Sequence, residues 1–100
     1  MMRDVHLSEA AKADLIDIWA ETFQKWGAEQ ADTCLDDIDR ALMSLIDNPL
    51  KGADCSDLLH GARRLITGRH LAFYDVSADA IFVIRVLHQS MDVPRHLRGS

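Results

Sequence analysis

Long apolar runs, metal-type cysteine pairs, linker-like glycine and proline stretches and a basic charge excess are all missing from this sequence. Hydrophobic residues make up 48% of the chain, yet none of their runs approaches the roughly 18 that a membrane-spanning helix needs. The opening MMRDVHLSEAAK carries acids and a lysine where a signal peptide would carry an apolar core, so a cytoplasmic location and no membrane partner are expected. Two cysteines are present, and neither Cys34 nor Cys55 stands in a CxxC or a Cys/His zinc spacing. Cys34 lies beside Leu35 and Ile38 in a helical stretch, where a thiol acts as a small hydrophobe and stays reduced in the cytosol. With 5 glycines, 2 prolines and no internal repeat, nothing divides the chain, and 100 residues give room for one modest core. One domain is expected over residues 1–98, with Gly99-Ser100 read as a tail or a cloning scar.

The charge that is present is unevenly spread. Residues 1–50 hold eleven acids against four basic residues, a balance of −7, while residues 51–100 hold five acids against seven, a balance of +2. The second half also carries four of the five histidines. An acidic first half repels a phosphate backbone, and the second half lacks the strong basic excess of a dedicated nucleic-acid binder.

Apolar periodicity supplies the outline of the fold. Val5 and Leu7 alternate with polar neighbours as in a short strand; Ser8 then suits a helix N-cap and Glu9 the positive first turn. Ala11, Leu15, Ile18, Trp19, Thr22 and Trp26 recur at three- and four-residue steps, with Asp14, Asp17, Glu21 and Lys25 off that stripe, and Gly27 ends the helix. Ala31, Leu35, Ile38, Leu42, Leu45 and Ile46 repeat the pattern up to Asn48-Pro49, which stops a second helix. Residues 50–60 read as a loop. Strands are expected over 62–66, 69–76 and 81–87, joined by turns at Thr67-Gly68 and Ser77-Ala78-Asp79. Short connections make these an antiparallel meander, with Arg85 the exception in an otherwise apolar central strand. The fold class is therefore α+β, in the order β-α-α-β-β-β, a helical hairpin covering one face of a mainly antiparallel sheet and a short C-terminal tail following. On the other face, left open, Arg63 or Arg64, Arg69 and Arg85 would gather, either as a basic recognition surface or as solvated strand arginines.

The segment GARRLITGRHLAFYDVSADAIFVIRVLHQSMDVPRHL, residues 61–97, resembles the ParE family of the ParE/RelE toxin superfamily. The resemblance rests on Arg63-Arg64, Gly68-Arg69-His70, Phe73-Tyr74 and the run from Ile84 through Arg85, Leu87 and His88 to Met91-Asp92. It extends forward through Leu7-Ser8, Asp14-Leu15, Ile18-Trp19, Trp26-Gly27 and Asn48-Pro49 ahead of Gly52. It implies the same element order and the toxin part of a type II toxin–antitoxin system, concerned with plasmid or chromosome stability and growth inhibition. It also implies a ParD-like ribbon-helix-helix antitoxin, operator DNA contacted only through that antitoxin, and DNA gyrase as the poisoned target. RelE-like relatives instead cleave messenger RNA at the ribosome, and that is the alternative.

Each reading selects its own residues. As a protein-binding toxin, the chain would meet its target through the tail, His88, Met91, Asp92, Val93, Pro94, Arg95, His96 and Leu97. It would meet its antitoxin through Trp19, Phe23, Trp26, Arg63, Arg64, Arg69 and Arg85. Trp19 and Trp26 also fall on the inward stripe, where the plainer reading is core, whereas Phe23 falls off it and should be exposed. As a nuclease, the chain would need a general base, a general acid and cations for a developing phosphorane, parts open to Arg64, Arg69, Arg85 and His88. The only tyrosine, Tyr74, lies mid-sheet and not after the last strand, which weighs against that second reading. His88, Asp92 and His96 have the i, i+4, i+8 spacing of helical metal ligands, but Pro94 interrupts the span; no metal or cofactor is expected.

Overall fold

The computed structural model describes residues 4–91 and 93–98. Along the chain run β1 (Asp4–Leu7), α1 (Glu9–Trp26), α2 (Ala28–Met43), β2 (Ala53–Asp54), β3 (Arg63–Thr67), β4 (His70–Val76), β5 (Ala80–His88) and α3 (Val93–Arg98). The five strands form one sheet in the order β1-β5-β4-β3-β2, antiparallel except where β1 joins β5 in parallel. The α+β hairpin-on-sheet architecture expected from periodicity is what forms.

Local chemistry explains the element ends. Ser8 Oγ accepts from the Ala11 N–H at 2.9 Å, capping α1, and donates to the Ile84 carbonyl at 2.6 Å, which ties the helix start to β5. Gly27 joins the two helices at φ 93°, ψ 173°, a region almost reserved for glycine. The second helix stops earlier than its apolar pattern suggests. After Met43 the chain tightens, with Leu45 N–H donating to Leu42 O and Ile46 N–H to Met43 O, both at 3.1 Å. Leu45 still reaches the core, so the stripe continues although the α-helix does not.

Two apolar cores sandwich the sheet. Under the hairpin, Ala11, Ile18, Ile38, Leu42 and Leu45 meet Leu65, Ala72, Tyr74, Ile81, Val83 and Val86. Each fully buried large side chain there contributes roughly 1.5–3 kcal/mol. On the opposite face Phe73 and Leu87 are covered by Cys55, Ala62 and Leu97, with Leu58, Leu59 and Val93 packed around them. The second face is therefore not open. The segment expected to be a plain loop supplies part of its lid and also the short edge strand β2.

A bulge in β5 controls which side chains face the helices. Val76 pairs with Ile81 and Tyr74 with Val83, but Phe73 pairs with Arg85, so Ile84 is the extra residue. Before it, Ile81 and Val83 face the helices; beyond it, Val86 does while Leu87 turns to the opposite core. The same one-residue step sets His88 opposite His70.

Two expectations about single side chains fail here. Trp26 is not core: it is 73% exposed, and Trp19 is half-buried. Asp14, expected off the inward stripe, is the one buried charged residue among those described.

Candidate functional site

Between the helical hairpin and the β3–β4 turn lies a cleft of about 430 Å³. The turn that shapes it is tight: Thr67 pairs with His70, leaving Gly68, at φ 61°, and Arg69 to reverse the chain. Arg69 and His70 thus stand on one side of the cleft and Glu21, Lys25 and Trp26 on the other, with His88 entering from the end of β5.

His70 and His88 are cross-strand partners whose rings meet edge to face, 5.3 Å between centroids. His88 Nδ1 accepts from the Ser90 N–H at 3.1 Å and lies 2.6 Å from Ser90 Oγ. A backbone donor can only give, so in that bond Nδ1 is the acceptor, which leaves Nε2 as the ring nitrogen not engaged by Ser90. Burial, reinforced by nearby His88 and opposed by Glu21, pushes the His70 pKa below its ordinary value. Two imidazoles beside a guanidinium can accept and donate protons, or can hold a polar partner side chain.

The depressed His70 pKa has a testable consequence. Folded protein takes up a proton at His70 less readily than unfolded chain, so folded stability is complete above the unfolded value of about 6.5 and falls as the pH drops below it. Thermal unfolding of the wild type and of His70→Gln should therefore diverge on acidification, the variant losing less. Parallel losses in the two proteins would refute the assignment.

The arginines expected to share one open face do not share it. Arg85 turns under α1, where its Nε donates to Asp14 Oδ2 at 2.7 Å and its Nη2 to Asp14 Oδ1 at 2.8 Å. Asp14 Oδ2 also accepts from the Val86 N–H at 3.0 Å. Arg63 is tied to the segment before β2, donating from Nε to Gly52 O at 2.9 Å and from Nη2 to Leu50 O at 3.2 Å. Arg64 lies on the opposite face of β3, and its Nε is buried without a hydrogen-bond partner among the described residues. Arg69 alone of the four lines the cleft. Of the proposed nuclease set, Arg69 and His88 come together, while Arg64 and Arg85 are held elsewhere by strand alternation and the β5 bulge.

The tail residues also separate. His88 faces the cleft, whereas Val93 and Leu97 pack into the opposite core and pin α3 to the sheet. Met91, Pro94 and Arg95 remain exposed. Asp92 lies outside the described residues, and of His96 only its place in α3 is described. Because His88 ends a strand and His96 sits in α3, the metal-like spacing does not fall on one continuous helix.

On the hairpin, Phe23 is 46% exposed, as expected, and stacks on Trp19 at 5.1 Å between centroids. Trp19 Nε1 donates to Asp32 Oδ1 at 2.9 Å, bridging α1 to α2. The site residues that sequence reasoning missed are His70, Glu21 and Lys25. His70 was legible in the Gly68-Arg69-His70 run, but an unbulged count from Val76 and Ile81 sets it opposite Leu87 and hides its pairing with His88.

Comparison with known proteins agrees with this architecture. The family described as "ParE toxin of type II toxin-antitoxin system, parDE" matches residues 5–93. Toxin ParE1 of Mycobacterium tuberculosis is 42% identical over 92 residues, covering 91% of this chain and 94% of that protein. Toxin ParE1 of Caulobacter vibrioides is 40% identical over 96 residues, covering 96% and 99%. Among solved structures, a chain of the chromosomal ParDE TA system from P. aeruginosa superposes with a TM-score of 0.76 at 24% identity, covering 87% of this chain and 96% of that one. With the family match spanning nearly the whole fold and two relatives at this level of identity, the chain belongs to the ParE toxin family of type II toxin–antitoxin systems.

Proposed function

We propose that this toxin arrests growth from the cytoplasm by binding DNA gyrase, with no bond-breaking chemistry of its own. A ParD-like antitoxin with a ribbon-helix-helix domain holds it silent, and operator DNA is contacted only through that antitoxin. The observation that carries the reading is the engagement of Arg85: a guanidinium locked to Asp14 under α1 is not free to meet a phosphorane. Arg63, likewise, holds the backbone at Leu50 and Gly52. What the molecule offers outward is protein-binding surface, the Trp19–Phe23–Trp26 row and the exposed positions Met91, Pro94 and Arg95. The −7 balance of residues 1–50 adds that ribosomal RNA and messenger would be repelled by half of the chain.

One observation favours the nuclease reading, the paired imidazoles of His70 and His88 next to Arg69. Parallel assays on purified protein separate the two. Inhibited supercoiling, or gyrase-dependent DNA cleavage, with messages left whole in a translation reaction is the expected result. Cut messages that His88→Ala leaves intact, with gyrase unaffected, would replace the first reading with the second.

A further inference from the structure

The cleft between the hairpin and the β3–β4 turn sorts its chemistry by side. Its floor is apolar, laid by the buried Ile18 and Ile38, and the exposed indole of Trp26 supplies an aromatic wall. Arg69 and His88 stand on the sheet side, with Lys25 opposite them on α1. Among the described residues, no ion pair and no side-chain hydrogen bond engages Arg69 or Lys25. Arg63 and Arg85, by contrast, are held inside the fold. Two cations without a counter-charge on opposite sides of one cleft make a local field that attracts an anion. Two acids line the cleft as well. Asp37 is paired with Arg40 at 3.4 Å, so Glu21 is the lining carboxylate with no partner among the described residues.

A ligand that satisfies all of these groups is anionic at one end, flat and apolar in the middle, and rich in donors at the other end. A phosphate monoester suits Arg69 and Lys25, and the His88 Nε2 that Ser90 leaves unengaged can donate to a third phosphate oxygen. A planar ring stacks on Trp26 over the isoleucine floor. Guanine carries its N1–H and N2–H2 donors side by side, the pattern that meets one carboxylate at both oxygens, and Glu21 is placed to receive them. The volume of about 430 Å³ lies in the lower part of the roughly 300–1,000 Å³ of small-molecule sites, which suits one nucleotide. A longer nucleic acid fits less well, because its further phosphates would run onto the acidic hairpin. We infer that this cleft binds a single guanine nucleoside monophosphate, its phosphate on Arg69 and Lys25 and its base against Trp26 and Glu21, with no bond broken. The inference does not depend on which target the toxin arrests.

The test titrates GMP into the full-length toxin, followed by calorimetry and by the NMR signal of the Trp26 indole N–H. Binding tighter than about 1 mM is expected. Arg69→Gln and Lys25→Gln should each weaken it about tenfold, as the loss of a charge-assisted contact does, and Trp26→Ala by about as much through lost stacking. All three positions are exposed, so the fold should hold, which circular dichroism verifies. Guanosine and inorganic phosphate, given separately, should each bind at least about tenfold more weakly than GMP. Inorganic phosphate that binds as tightly as GMP would reduce the cleft to a plain anion contact and overturn the inference. GMP should bind more tightly than AMP, and Glu21→Gln should narrow that gap; an undiminished preference in the variant would overturn the placement of the base. A six-nucleotide RNA that binds more tightly than GMP, or is cut, would give the cleft to the nuclease reading and overturn the inference. No binding at millimolar GMP by a toxin that still inhibits gyrase would overturn it too, and leave the proposed function standing.

Discussion

Asp14→Ala is expected to destabilise the fold by about 3–5 kcal/mol, a large share of the roughly 5–15 kcal/mol available to a domain of this length. The carboxylate is only 11% exposed and receives three hydrogen bonds, two from Arg85 and one from the Val86 N–H. Removing it takes from the guanidinium, 16% exposed, the carboxylate that both its Nε and Nη2 hold, and from the Val86 amide its acceptor. These losses add because each group was stripped of water in order to form the pair. A urea titration read by tryptophan fluorescence measures the shift in midpoint. Replacing both partners by apolar residues, as in Asp14→Leu/Arg85→Met, should recover much of the ion-pair loss but not the Val86 N–H bond, leaving about 1–3 kcal/mol of destabilisation. A midpoint for Asp14→Ala within error of wild type would mean the pair contributes nothing, and it would also weaken the argument that Arg85 is unavailable for chemistry.

Gly52→Ala should rank next, with an expected loss of about 1–3 kcal/mol or more from overpacking. A β-carbon there would sit 2.5 Å from Arg64 O, 2.7 Å from Tyr74 Oη and 2.9 Å from Arg64 C. Two of those atoms belong to the β3 backbone, where Arg64 is paired with both Ala53 and Phe73, so neither can move without disturbing the sheet. The third anchors the connection: Tyr74 Oη accepts from the Gly52 N–H at 2.9 Å and donates to Pro49 O at 2.9 Å. The single tyrosine of the chain is thus a buried clasp between β4 and the segment that leaves α2, which accounts for its mid-sheet place. Gly52→Ala should lower the thermal midpoint by several degrees, and an unchanged midpoint would show that the strand gives way freely.

Asn48-Pro49 and Gly52 are visible in the sequence as a pattern, but the reason for them is not. Spacing alone shows that a glycine follows a helix stop; it takes the approach of Arg64 and Tyr74 to show that only a glycine fits. Arg85 is a similar case. In an apolar strand it reads as an outward exception, because the alternation of a strand gives it no other place. An acid 71 residues away supplies the partner that lets it turn inward.

What the linear sequence decided by itself is whatever depends on neighbours within a few residues. The Ser8 cap, the Gly27 joint, the hairpin stripes and the meander of short-turned strands all follow from local periodicity and backbone preference. The −7 and +2 halves follow from composition. Tertiary structure decided the rest, because it depends on phase and on distant partners. One extra residue at Ile84 reverses which alternate side chains of β5 face the helices, joining His88 to His70. Packing against β5 draws Asp14 inward from a helix position that periodicity alone assigns to solvent. Closure of the second face by α3 and residues 55–62 takes Val93 and Leu97 into a core, which their place in a short tail does not reveal.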